Sequence, residues 1–256
     1  MRETTLKEAL GTNRGADSSR RTALIAGALF IAATATSVVG TALSRPFVHD
    51  PVSLGRVSAH QNLVSLGALF EFVAAAASAG IAISLYPVLR KWSAGLALGS
   101  VVFRAMEAGM YAVGVVSLLS LVKLSQQFTT GGAADRASLH AIGDSLVAVR
   151  DQVALTGVLA FSVGALMYYS VFYRSELVPR WLSGWGIAAI VLTIGACLMA
   201  WFSHRPLTTY TIVLLPIGVQ EMVLAVWLIA KGFSSSALTL VLGSRNGATT
   251  VEAPRR

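Results

Sequence analysis

The sequence predicts an all-α fold, a polytopic membrane protein built as a six-transmembrane-helix bundle. Three observations carry this. Six apolar stretches are each long enough to cross a bilayer. The chain of 256 residues is 55% hydrophobic and only 12% charged, where soluble domains carry about 25% charge. Mean hydropathy is +0.68, and prolines and short charged turns punctuate the apolar runs.

In chain order, residues 1–21 read as a disordered basic tail with Arg2, Lys7, Arg14, Arg20 and Arg21. The first span covers about 22–43 and is stopped by Arg45-Pro46. No small-residue cleavage site follows it, so it reads as a signal-anchor span and not as a cleaved leader. The second span, about 61–86, ends at Pro87. Its centre, Ala74 to Gly80, is nearly without bulk, which lets helix backbones approach closely in lipid. The third span, about 94–122, opens with Gly95-x-x-x-Gly99.

After Gly131-Gly132, Leu139, Ile142, Leu146 and Val149 recur at helical spacing. They predict an amphipathic helix that lies on the membrane or continues into the fourth span, about 151–173. Tyr168, Tyr169, Phe172 and Tyr173 read as an interfacial aromatic belt. Trp181 and Trp185 anchor the fifth span, about 181–202. The sixth, about 209–230, carries Pro216 inside it, and 233–256 read as a polar cytoplasmic tail. The membrane domain is thus 22–232. No internal repeat supports an inverted-repeat transporter.

Lys and Arg number thirteen on the side of both tails and six on the other. The positive-inside bias therefore places both termini in the cytoplasm, in the inner membrane of a bacterium. The net charge of +8 follows from those tails and loops. No aromatic-basic patch reads as a nucleic-acid surface, so the lipid bilayer is the expected partner.

Four charges interrupt the apolar interiors: Glu71, Arg104, Glu107 and Glu221. An ionised side chain at mid-depth costs about 3 kcal/mol on insertion scales, so such residues are functional candidates by default. Counted from the cytoplasmic ends at 1.5 Å per residue, Glu71 and Glu107 lie about 20–22 Å deep, and Arg104 and Glu221 about 13–15 Å. Arg104 and Glu107 are three apart and share a helix face. An Arg104–Glu221 pair would join the third and sixth spans. Glu71 would be a second acceptor for Arg104 or would share a proton with Glu107. Tyr111, one turn beyond Glu107, would donate into the same site.

Three readings follow from these five residues. They form a cavity between spans 2, 3 and 6 for a small solute or ion, or a charge network that only fixes helix packing. The weakest reading is a catalytic carboxylate site, since no Gly-x-Ser-x-Gly, His-Glu-x-x-His or paired intramembrane aspartates support an enzyme. The single cysteine, Cys197, precludes an intrachain disulfide, and no His/Cys/carboxylate spacing supports a metal. No cofactor is expected.

Tyr168-Tyr169-Ser-Val-Phe-Tyr-Arg174-Ser175-Glu-Leu-Val-Pro179-Arg180-Trp-Leu-Ser-Gly184-Trp-Gly186 resembles a stretch of the bacterial membrane family known as domain of unknown function 4386. Arg20-Arg21-Thr-Ala-Leu-Ile-Ala-Gly27 and the segment Pro216-x-x-x-x-Glu221 to Lys231-Gly232 resemble it too. The resemblance covers roughly 20–233. It implies a six-helix inner-membrane protein, and it brings no catalytic residues with it.

Overall fold

The computed structural model describes residues 2–48, 52–130, 132–234 and 236–237. They form seven α-helices: α1 (Arg2–Ser44), α2 (Leu54–Ala59), α3 (Gln61–Leu89), α4 (Ala94–Thr130), α5 (Ala133–Ser175), α6 (Arg180–Ser203) and α7 (Thr211–Ala230). A 3-10 turn, Leu207–Tyr210, leads into α7. Among the described residues there is no strand. Six helices are long and apolar enough to cross a membrane, so the chain is a multi-pass membrane protein. Lipid offers backbone groups no hydrogen-bond partner, and helices satisfy theirs internally.

The long helices form a closed ring. α1 packs on α3, α3 on α4, α4 on α5, α5 on α6 and α6 on α7, and α7 returns to α1. The first and last spans are sealed by Arg20, which donates to the carbonyls of Leu228 at 3.2 Å and Ile229 at 2.7 Å. Both carbonyls lie in the last turn of α7, where the Leu228 carbonyl also accepts from the Gly232 backbone N–H at 3.1 Å. The backbones of α1 and α3 approach closely. A Cβ on Gly40 would meet the Gly67 carbonyl at 2.9 Å, and a Cβ on Gly67 would meet that of Gly40 at 2.8 Å. By contrast, Gly95 of the Gly-x-x-x-Gly pair faces open space, and Gly99 sits under the Met167 sulfur.

One element differs from the sequence expectation. The polar residues expected as a disordered tail are helical from Arg2 onward and continuous with the first span. No proline interrupts them before Pro46, and propagating a helix that is already nucleated by the span is easy. Of the two courses expected for the amphipathic segment after Gly132, the structure has the continuous one, and the segment runs without a break into the fourth span. α5 is 43 residues long, about 65 Å at 1.5 Å per residue, roughly twice the hydrocarbon thickness.

With α4, 37 residues long, α5 therefore projects beyond the bilayer. There Val52, Leu54 and Val57 cover Leu118, Leu121, Leu124 and Val147 in a second apolar core. The segment expected as a C-terminal tail falls, from residue 238 on, outside the described residues.

α5 and α6 end where Glu176 and His204 take left-handed backbone conformations, φ 54° and 53°. Both release the chain from the helix as glycine does in the commoner cap.

Candidate functional site

Arg104 and Glu107 project from α4 into the ring and are buried, Arg104 at 2% exposure. Three residues of spacing bring the Arg104 Nη1 to 3.0 Å from Glu107 Oε2. The same oxygen accepts from Ser78 Oγ of α3 at 2.8 Å. The guanidinium lies over two rings of α5, 4.8 Å from the centroid of Phe161 and 6.0 Å from that of Tyr168. Both distances suit cation–π attraction, which strengthens where water is excluded. Its stem passes Gly164, where a Cβ would meet Arg104 Cγ at 3.3 Å. Arg104 Nε is buried with no hydrogen-bond partner.

Glu221 belongs to the stripe Ile217, Leu224 and Leu228, the buried face of α7. It is half-buried and accepts from the Tyr168 hydroxyl at 3.4 Å. It lies within electrostatic range of both Arg104 and Glu107, yet the Arg104–Glu221 ion pair expected from depth does not form. Tyr168 occupies the intervening position, its ring toward Arg104 and its hydroxyl toward Glu221. Beside it, Tyr169 donates to Gln220 Oε1, and Gln220 Nε2 donates to the Leu182 carbonyl of α6 at 3.0 Å. Phe30 of α1 meets Tyr168 edge-on at 6.4 Å. Tyr111 is half-buried, one turn from Glu107 and within electrostatic range of Glu107, Arg104 and Glu221. Its hydroxyl makes no hydrogen bond to Glu107.

Glu71 is elsewhere. Its Oε1 receives Arg150 Nη2 of α5 at 2.6 Å and Ser44 Oγ of α1 at 3.2 Å. Arg150 Nη1 also reaches the Gly114 carbonyl of α4 at 3.3 Å. Glu71 is seven residues before Ser78, the α3 partner of Glu107, and so about 10 Å away along the helix axis. The expected single level for Glu71 and Glu107 is thus two levels. The structure holds two charged groups: a central one built on Arg104, Glu107 and Glu221, and one near the α2 end built on Glu71 and Arg150.

Sequence reasoning passed over Ser78, Phe161, Tyr168, Tyr169, Gln220 and Arg150. Tyr168 and Tyr169, read as an interfacial belt, are fully buried. Spacing alone does not single them out, since Tyr173 lies four residues from Tyr169 as Phe172 does from Tyr168, yet Tyr173 is exposed. A buried tyrosine needs a partner for its hydroxyl, and Glu221 and Gln220 are adjacent in sequence to supply two. Among the described residues, no group of three or more His, Cys, Asp or Glu is placed to hold a metal ion.

The chain matches no curated protein and no solved structure. The protein-family model described as "Domain of unknown function (DUF4386)" matches residues 25–232. That range takes in most of the first span and all of the other five, with Arg104 and Glu107 on the third, the paired tyrosines on the fourth and Glu221 on the sixth. The chain therefore belongs to the domain of unknown function 4386 family.

Proposed function

We propose that this integral membrane protein binds, and lets pass, a small positively charged solute or ion at the centre made by Arg104, Glu107 and Glu221, with Tyr111 and Tyr168 at its edge. One observation carries the reading. Glu221 lies within electrostatic range of a guanidinium already paired at 3.0 Å with Glu107, and it accepts its hydrogen bond from the uncharged Tyr168 hydroxyl that stands between them. The centre has one more carboxylate than guanidinium. An unbalanced charge is costly at membrane depth, and one bound monovalent cation or proton balances it.

The test is thermal unfolding of purified protein in nanodiscs, with sodium, potassium and methylammonium chlorides at equal ionic strength. A ligand that binds only the folded state raises the melting temperature. At least one cation raises it in the wild type, and Glu221→Gln abolishes that rise without lowering the baseline stability much. Equal shifts in both proteins would refute the reading.

A packing role is favoured for the other group. Glu71, Arg150, Ser44 and the Gly114 carbonyl come from four helices, which is the arrangement of a clasp. Both termini are placed in the cytoplasm and the protein in a bacterial inner membrane. The basic residues near Arg20, Arg90, Arg174 and Lys231 support that orientation.

A further inference from the structure

The ion pair of Glu71 and Arg150 stands in line with the central group. On α3, Glu71 precedes Ser78, the donor to Glu107, by seven residues. On α4, Gly114, whose carbonyl accepts from Arg150, follows Glu107 by seven. On α5, Arg150 precedes Gly157 by seven, and a Cβ on Gly157 would lie 3.8 Å from the Glu107 carbonyl. Seven residues make about two turns, so each of the three helices turns one face to both levels, about 10 Å apart along the axis.

The two levels differ in access. The side chains of Arg104 and Glu107 are 3% and 7% exposed, those of Arg150 and Glu71 20% and 14%. Ser44, which donates to Glu71 at 3.2 Å, is the last residue of α1. The pair therefore lies where the first span ends, and it is the more open of the two levels. Tyr111 stands between them in height. A Cβ on Gly157 would lie 3.9 Å from its Cε1.

The pair is also built to exchange. Arg150 holds two acceptors, Glu71 Oε1 at 2.6 Å and the Gly114 carbonyl at 3.3 Å. Letting go of the carboxylate leaves the guanidinium one partner. Among the described residues, both hydrogen bonds to Glu71 fall on Oε1, so Oε2 is left to meet a cation. A cation that takes the place of the guanidinium keeps Glu71 paired, where a bare carboxylate is costly. Passage needs sites that hold an ion and also release it, and a carboxylate with a tethered competitor does both.

We infer that Glu71 is a second cation site, on the way to the central group, and that Arg150 is its resting occupant. A small monovalent cation displaces the guanidinium on entry, and the guanidinium returns behind it. This rests on the reading of the centre as a cation site.

The two partners of one ion pair then act in opposite directions. The measurement is uptake of radiolabelled rubidium and of radiolabelled tetramethylammonium into proteoliposomes, per folded protein. Arg150→Gln removes the occupant and raises the initial rate for at least one probe about fivefold, the scale of a partly exposed ion pair taken off a barrier. Glu71→Gln removes the site and lowers the rate. Arg150→Lys, which keeps a tethered cation, stays near the wild-type rate. The double variant, Glu71→Gln with Arg150→Gln, leaves no unpaired charge and falls below Arg150→Gln alone. The probe that responds tells an alkali ion from an organic ammonium ion.

A pair that only packs helices is weakened alike by either change. Shifts of the same sign in Glu71→Gln and Arg150→Gln, a double variant as fast as Arg150→Gln, or no uptake of either probe by any variant would overturn the inference. Failure of the centre reads out separately, as cation-dependent melting that Glu221→Gln leaves unchanged while the opposite signs at Glu71 and Arg150 persist.

Discussion

The guanidinium of Arg104 and the carboxylate of Glu107 meet at 3.0 Å from within one helix. Such a pair joins nothing by itself. What it touches on α3 is a serine, and on α5 two aromatic rings, so its attachment to the ring of helices is by neutral groups. Removing one partner leaves a buried charge without its counter-ion, which costs about 3–5 kcal/mol. Arg104→Ala should therefore unfold readily in denaturant titrations in detergent, and Arg104→Met with Glu107→Leu should recover most of the loss. A double variant as unstable as the single one would show that the pair is not the source of the effect.

Glu71 and Arg150 are coupled more weakly. Their side chains remain 14% and 20% exposed, so solvent screens part of the attraction. Glu71→Gln or Arg150→Gln should each lower stability by about 1–2 kcal/mol. The double variant should cost about as much as either alone. A double-mutant cycle by thermal unfolding measures this coupling, and simple additivity would remove the clasp.

Tyr168→Phe keeps the ring against Arg104 and Phe30 but removes the donor to Glu221. A net loss of about 1 kcal/mol is expected, together with an altered cation-dependent melting shift. Tyr169→Phe leaves Gln220 Oε1 buried without its donor, at about 1–3 kcal/mol, and should leave the cation response intact. Comparing the two responses separates the tyrosine that serves the centre from the one that holds α6.

Close packing should fail where backbones touch. A Cβ on Gly186 would lie 2.6 Å from Cε1 of the buried Tyr169 ring. Gly186→Ala should cost about 1–3 kcal/mol through overpacking. Gly67→Ala, which meets the Gly40 carbonyl, should cost at least as much. Gly95→Ala, in open space, should be neutral. Melting temperatures of the three variants check the ranking.

The six spans could be read directly, because runs of about 20 apolar residues ending at prolines or basic turns admit few other structures. The shared face of Arg104 and Glu107 followed from their spacing. The partner of Glu71 did not. Arg150 belongs to a helix that overshoots the bilayer, and counting depth from assumed helix ends placed it outside. Nor was the inward direction of Tyr168 and Tyr169 evident. In lipid, residues facing a neighbouring helix and residues facing acyl chains are equally apolar, so periodicity does not mark the buried face. Polar partners mark it instead: Glu221 and Gln220, one helix away in space and some fifty residues away in sequence.

The seam between α1 and α7 has a consequence for biogenesis. Of the six spans, α1 precedes the other five in the chain and finds one of its two neighbours last. At about 5–20 residues per second the interval is on the order of ten seconds. Until α7 arrives, the Arg20 guanidinium lacks the carbonyls it will cap, and the Tyr168–Tyr169 pair lacks both acceptors. Assembly intermediates therefore present a polar gap on one side of an otherwise complete sheaf of five spans. A membrane chaperone or insertase that recognises hydroxyl and guanidinium groups within the bilayer would find its substrate there, and only for that interval.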